Sequence, residues 1–217
     1  MESIGIKTSI YDLLSYFISG VIFNNCIILA VYFTHYKLTI PFKEIYGEEL
    51  LSLIPNWFLI LTLILITYVF GIILSTLSSI IIEKTLMKVP FLKKHIIMKN
   101  IISKDLYNLI CQKTKNDFDI DFNENIRLLI TFVEKYSANS YNTAFVFLTL
   151  YGMNRNFCMI FFPIGVIVLI INITQNSNAL FAMILIIFSI LTFTGYIRFY
   201  RYFISQISSA YISTNKN

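Results

Sequence analysis

Three long runs of this chain contain no Asp, Glu, Lys or Arg. They cover residues 13–36, 50–82 and 156–197, which is 24, 33 and 42 residues. A helix needs roughly 20 consecutive apolar residues to cross the hydrocarbon core of a bilayer. The chain therefore reads as a polytopic membrane protein. Composition agrees. Hydrophobic residues make up 57% of the 217 and charged residues 13%, about half the charged share of an ordinary soluble domain. These values exclude a disordered chain, a disulfide scaffold and a soluble enzyme of this length. They leave room for an enzyme within the membrane.

The runs resolve into four spans, at 13–33, 57–82, 156–171 and 179–197. The last run holds two of them because the polar stretch from Asn172 to Asn178 divides it into a helical hairpin. The start carries Glu2, Lys7 and Asp12 before an apolar stretch of spanning length, so the first span is expected to be retained rather than cleaved. With four spans, the N-terminus, residues 83–155 and the C-terminus share one side of the membrane. That side holds fifteen of the seventeen Lys and Arg residues, and the other holds Lys37 and Lys43. The positive-inside rule places the richer side in the cytoplasm. Trp57 at one interface, and Tyr11, Tyr16, Tyr196, Tyr200 and Tyr202 at the other, fit an aromatic belt.

The fold class expected is an all-α membrane protein with four transmembrane helices and a helical cytoplasmic segment between the second and third. Its parts are a first helix pair (1–82), the cytoplasmic segment (83–155) and a second hairpin with a cytoplasmic C-terminal tail (156–217). No glycine occurs from Ile72 to Tyr151, and Pro90 is the single proline there, which suits ordered helices rather than a linker. Ser103 is placed to cap one helix. Asp121 and Glu124 resemble a capping box for another, which Gly152 would stop. A segment of this size buries little core alone, so it is expected to lean on the membrane helices or on other subunits.

Tests for chemistry give little. The alternating Asp117, Asp119 and Asp121 begin like a calcium loop, but Phe122 stands where glycine is needed and Leu128 where a bidentate Glu is needed. Cys26, Cys111 and Cys158 lack metal spacing, and His35 and His95 fall on opposite sides of the membrane. There is no phosphate-cradling glycine loop and no Gly-x-Ser-x-Gly turn. No catalytic residue, metal site or cofactor is expected, and the chain is not read as an enzyme.

Other residues stand out for contacts. Gly71, Ser75 and Ser79 recur every four residues with Ser78 beside them, which serves helix packing in one bundle, a subunit contact or a polar pore wall. Asn24 and Asn25 lie inside the first span, where polar side chains need partners. They bond between helices or face the lumen of an oligomer. Lys88, Lys93, Lys94, His95 and Lys99 follow Lys84 without an acid until Asp105. Anionic lipid, a cytoplasmic protein or RNA could meet such a cluster, and RNA is the weaker reading because an aromatic platform is missing. Arg155 opens the third span and would anchor it at the membrane boundary by snorkelling.

Three stretches carry a family resemblance. They are Tyr11-Asp12-Leu13-Leu14-Ser15-Tyr16-Phe17-Ile18-Ser19-Gly20, Gly71-Ile72-Ile73-Leu74-Ser75-Thr76-Leu77-Ser78-Ser79 leading to Glu83, and Tyr151-Gly152-Met153-Asn154-Arg155-Asn156. In layout the chain resembles small multi-span membrane proteins of bacterial antiphage islands. These include the accessory membrane proteins of type VI-B CRISPR systems and, more loosely, the membrane subunit of Kiwa defence. The resemblance implies an oligomeric inner-membrane accessory protein that senses infection or modulates a cytoplasmic effector. One branch is pore-forming and bears an RNase-like Arg-x4–6-His motif. Neither Arg155 nor Arg127 is followed by such a histidine here, so the non-nuclease branch is the closer match. A membrane immunity protein against a toxin, or a small transporter, is the alternative.

Overall fold

The computed structural model describes residues 2–34, 56–86, 97–119, 122 and 125–214. All regular structure among them is helical. α1 is Glu2–Phe33 and α2 is Asn56–Ser78, which passes directly into a π-helical extension, Ser79–Leu86. α3 (Met98–Ile101), α4 (Lys104–Phe118) and α5 (Ile126–Tyr136) are shorter. α6 (Ala138–Thr174) and α7 (Leu180–Ser213) have 37 and 34 residues. α1, α2, α6 and α7 are long and apolar enough to cross a membrane.

The buried and exposed faces of α2 show what kind of solvent it suits. Its inward stripe is Thr67, Gly71, Leu74, Ser78 and, in the extension, Ile82. Its outward residues are large and apolar, among them Leu63, Leu65, Val69 and Ile73. Water would oppose that arrangement, and lipid favours it, because small residues inside let backbones approach while the apolar bulk meets acyl chains. This is the surface of a multi-pass membrane protein.

The α6–α7 hairpin turns where the polar stretch predicts. Asn172 Nδ2 donates to the Asn178 carbonyl at 2.9 Å, and the Ser177 N–H donates to the Asn172 carbonyl at 2.9 Å. Asn178 Oδ1 accepts from the Leu180 N–H at 2.9 Å, satisfying an otherwise orphaned donor at the start of α7. Asn176 takes the left-handed conformation (φ 50°) that Asn tolerates better than most residues.

α6 does not stop at Gly152. It begins just after the Ser137 break and runs unbroken through Gly152 to Thr174. At about 1.5 Å per residue it is roughly 55 Å long, against about 30 Å of hydrocarbon. A boundary at 155/156 therefore falls inside one continuous helix. Residues 198–213 are likewise not a loose tail. α7 continues past 197, and its Phe203, Ile204, Ile207, Ala210 and Tyr211 are buried. They form one core with Met98, Ile110, Leu129, Phe132 and Val133 from α3, α4 and α5. So the segment expected to lean on the membrane helices does so through the far ends of α6 and α7.

Two local devices close this distal bundle. Ser103 Oγ accepts from the Leu106 N–H at 3.2 Å and caps α4. Lys113 Nζ donates to the carbonyls of Tyr211 (2.8 Å), Ile212 (3.1 Å) and Thr214, where the last turn of α7 has no N–H left to offer. The same ammonium lies 5.2 Å from the Tyr211 ring centroid and 5.7 Å from that of Phe132.

Candidate functional site

α1 and α2 pack antiparallel with their backbones in contact. Gly20 lies on the Thr67 carbonyl and Gly71 on the Tyr16 carbonyl. A methyl group at either glycine would overlap the carbonyl oxygen opposite. Approach this close needs the missing side chain. One turn above, Asn24 Nδ2 donates to Thr67 Oγ1 at 2.9 Å.

The same contact brings a row of hydroxyls to α6. Ser78 Oγ donates to Asn156 Oδ1 at 2.6 Å, and Asn156 Nδ2 donates to Ser19 Oγ at 3.3 Å. Ser19, Ser78 and Asn156 are all buried. Arg155 completes the seam. Its Nε donates to Ser78 Oγ at 3.0 Å, and its Nη2 to Ser75 Oγ at 3.1 Å and to the Ser75 carbonyl at 3.3 Å. The guanidinium also lies 5.9 Å from the Tyr151 ring centroid. Three helices, α1, α2 and α6, are thus joined through one charge-assisted network.

Depth gives the network its meaning. Ser78 lies 21 residues along α2 from Trp57, about 31 Å at helical rise, which matches the thickness of the hydrocarbon. Arg155, bonded to Ser75 and Ser78, is about one hydrocarbon thickness along α2 from Trp57. Its side chain, however, turns inward onto α2 instead of snorkelling outward. Ser78 Oγ also lies 2.9 Å from the Ser75 carbonyl, so its single proton is shared between that carbonyl and Asn156 Oδ1, while the Arg155 guanidinium approaches the same carbonyl just before α2 changes to π pitch. Side chains inserted into the backbone ladder are a recognised cause of such distortion. Beside the network, Ser15, Ser75, Thr149, Tyr151, Gly152 and Arg155 line a cleft of about 180 Å³. The absent side chain of Gly152 leaves that space open.

The structure separates the remaining candidate residues. Gly71, Ser75 and Ser78 face the interior of a single chain, and Ser79 is half-buried at the start of the π extension. Asn25 points the other way. It is exposed, and Nδ2 donates to the Val21 carbonyl of its own helix at 2.8 Å. Lys99 is exposed on α3. Lys88, Lys93, Lys94 and His95 lie outside the described residues, as do Asp121 and Glu124. In the expected aromatic belt, Trp57 and Tyr202 are exposed, whereas Tyr196 is buried and stacks on Tyr151 at 4.7 Å. Sequence reasoning gave no role to Ser19 and Asn156. The available signal was Ser15 and Ser19 at the same four-residue spacing as Gly71 and Ser75.

Chemically the seam is a set of donors and acceptors that hold helices together. Among the described residues no group of three His, Cys, Asp or Glu could hold a metal ion. Comparison with family models, with curated proteins and with solved structures gives no match to this chain.

Proposed function

We propose that this chain is a non-enzymatic accessory or effector of bacterial antiphage defence. In this reading it sits in the inner membrane with both termini in the cytoplasm, and it senses infection or modulates a cytoplasmic effector. The observation that carries the reading is the continuity of α6 and α7. Each runs without a break from the hairpin, past the Arg155 seam, into the distal bundle. A change in lateral packing around the spans is thereby delivered to the bundle with no flexible linker between. The resemblance in layout to antiphage accessory proteins supplies the biological setting.

Asn25 supports the oligomeric part of the proposal. It lies ten residues along α1 from Ser15, about 15 Å inside the boundary and so near the middle of the bilayer. A polar side chain exposed to acyl chains there is costly, and a second copy would cover it. Copies joined on this face would present a ring of Asn25 side chains, the route to a pore.

The test is phage challenge of bacteria expressing the chain alone or with the cytoplasmic proteins encoded beside it. Its mass in detergent is measured in parallel by light scattering. Protection that Asn25→Leu abolishes, together with a shift from oligomer to monomer, is the expected result. Unchanged plating of a broad phage panel in both settings would overturn the defence reading, and a monomeric wild type would overturn the oligomer.

A further inference from the structure

One face of α7, roofed by Ile101 of α3, lines a cavity of about 790 Å³ that none of the preceding roles uses. Its side chains change character along the helix. Leu191 lies at one end, Arg198 and Arg201 follow, and Ser205 lies at the other end. Among the described residues, none that lines it is Asp or Glu. Tyr202 orients the first cation: Arg198 Nε donates to its hydroxyl at 2.9 Å, and the guanidinium lies 5.3 Å from the ring centroid.

The depth of this face is set independently. Arg198 is 18 residues from Leu180 at the hairpin end of α7, about 27 Å, so it emerges close to the hydrocarbon boundary. The register with α6 agrees, because Asn154 meets Gly195 and Tyr151 stacks on Tyr196. Arg198 and Arg201 are therefore one to two turns beyond Arg155, at the level of lipid headgroups. Toward the hairpin the same helix face continues as Leu191 and Ile187, both exposed and apolar.

We propose that this cavity binds the phosphate headgroup of an anionic phospholipid. Arg198 and Arg201 hold the phosphate, since guanidinium forks match phosphate geometry. The Ser205 hydroxyl lies at the polar end for the remainder of the headgroup. One acyl chain runs along Leu191 and Ile187. A free phosphate would satisfy the arginines but leave that apolar track unused, so the occupant is the lipid. Because the site sits where α7 leaves the spans for the distal bundle, its occupancy would register lipid composition there. The proposal does not depend on the role in defence.

The test uses the full chain in detergent, titrated with dioleoylphosphatidylglycerol or dioleoylphosphatidylcholine and read by native mass spectrometry. Wild type is expected to prefer the anionic lipid, and Arg198→Gln with Arg201→Gln to weaken it roughly thirtyfold, the combined attraction of two surface cations. Arg127→Gln, exposed on α5, is expected to leave binding unchanged. Thr194→Trp keeps both arginines but fills the cavity, and it should also expel the lipid. This variant decides the matter should the double substitution fail to fold. No preference for the anionic lipid, or equal binding by wild type and Thr194→Trp, would overturn the site. Displacement of the lipid by millimolar inorganic phosphate would overturn the lipid as occupant in favour of a soluble phosphate.

Discussion

The two halves of this molecule are held together by opposite means. In the distal bundle, Leu129, Val133, Ile204 and Tyr211 are buried, and the hydrophobic effect drives their association. Between the spans, the buried positions include Ser19, Thr67, Gly71, Ser78 and Asn156 beside a small apolar cluster of Cys26, Leu74, Ile160 and Leu185, while most of the Leu and Ile of α2 face outward. In lipid, apolar side chains gain nothing by moving inward, so close backbone packing and hydrogen bonds take over. The same chain therefore changes its packing rule along α6 and α7, and Arg155 marks the level where it does so.

The largest expected effect tests the bundle side of this contrast. Leu129→Ala empties a fully buried position and should cost about 2–5 kcal/mol by lost transfer energy and a residual cavity. Leu63→Ala, the same change on the outward face of α2, should cost under about 0.5 kcal/mol, as surface changes do. Unfolding by graded SDS in bicelles would measure both. Equal losses would mean that the outward face of α2 is packed against protein.

Glycines sharpen the contrast next, because the two rules predict opposite signs for one residue type. Gly71→Ala puts a methyl group into the Tyr16 carbonyl and should destabilise by about 1–3 kcal/mol as the helices separate. Gly152→Ala meets nothing within 4 Å and should stabilise α6 by roughly 0.5–1 kcal/mol through helix propensity. Thermal aggregation midpoints in one detergent would rank them. A stabilised Gly71→Ala would disprove the close α1–α2 contact.

Charge-free runs made the spans legible in the sequence, and the polar stretch from Asn172 to Asn178 made the hairpin legible, because both are local signals that no tertiary contact has to supply. The Ser103 cap is legible for the same reason. The course of α6 through Gly152 is not. One glycine costs a helix about 1 kcal/mol, which packing along 37 residues overrides. The docked end of α7 was hidden too, since in a chain 57% hydrophobic a buried stripe such as Phe203, Ile207 and Tyr211 does not stand out from lipid-facing residues. The seam was half legible. Spacing singled out Gly71, Ser75 and Ser78, but Asn156 and Ser19 are 137 residues apart, and only the fold brings them together.

The smallest effect is the most informative about the seam. Ser78 stands between Asn156 and Arg155, donating to Asn156 and accepting from Arg155. Ser78→Ala and Asn156→Leu each remove the 2.6 Å bond, and a double-mutant cycle isolates its coupling. Interhelical bonds of this kind couple by about 0.6 kcal/mol on average, because in the unfolded state within the membrane both groups find other partners. A charge-assisted network should exceed that, toward roughly 1.7 kcal/mol, the upper end of the measured range. Repeating the cycle with Arg155→Met should return the coupling to the average, since the guanidinium that polarises the Ser78 hydroxyl is gone. A coupling that is the same with and without Arg155 would show that the three helices are joined by separate bonds, and that Arg155 contributes only its own contacts to α2.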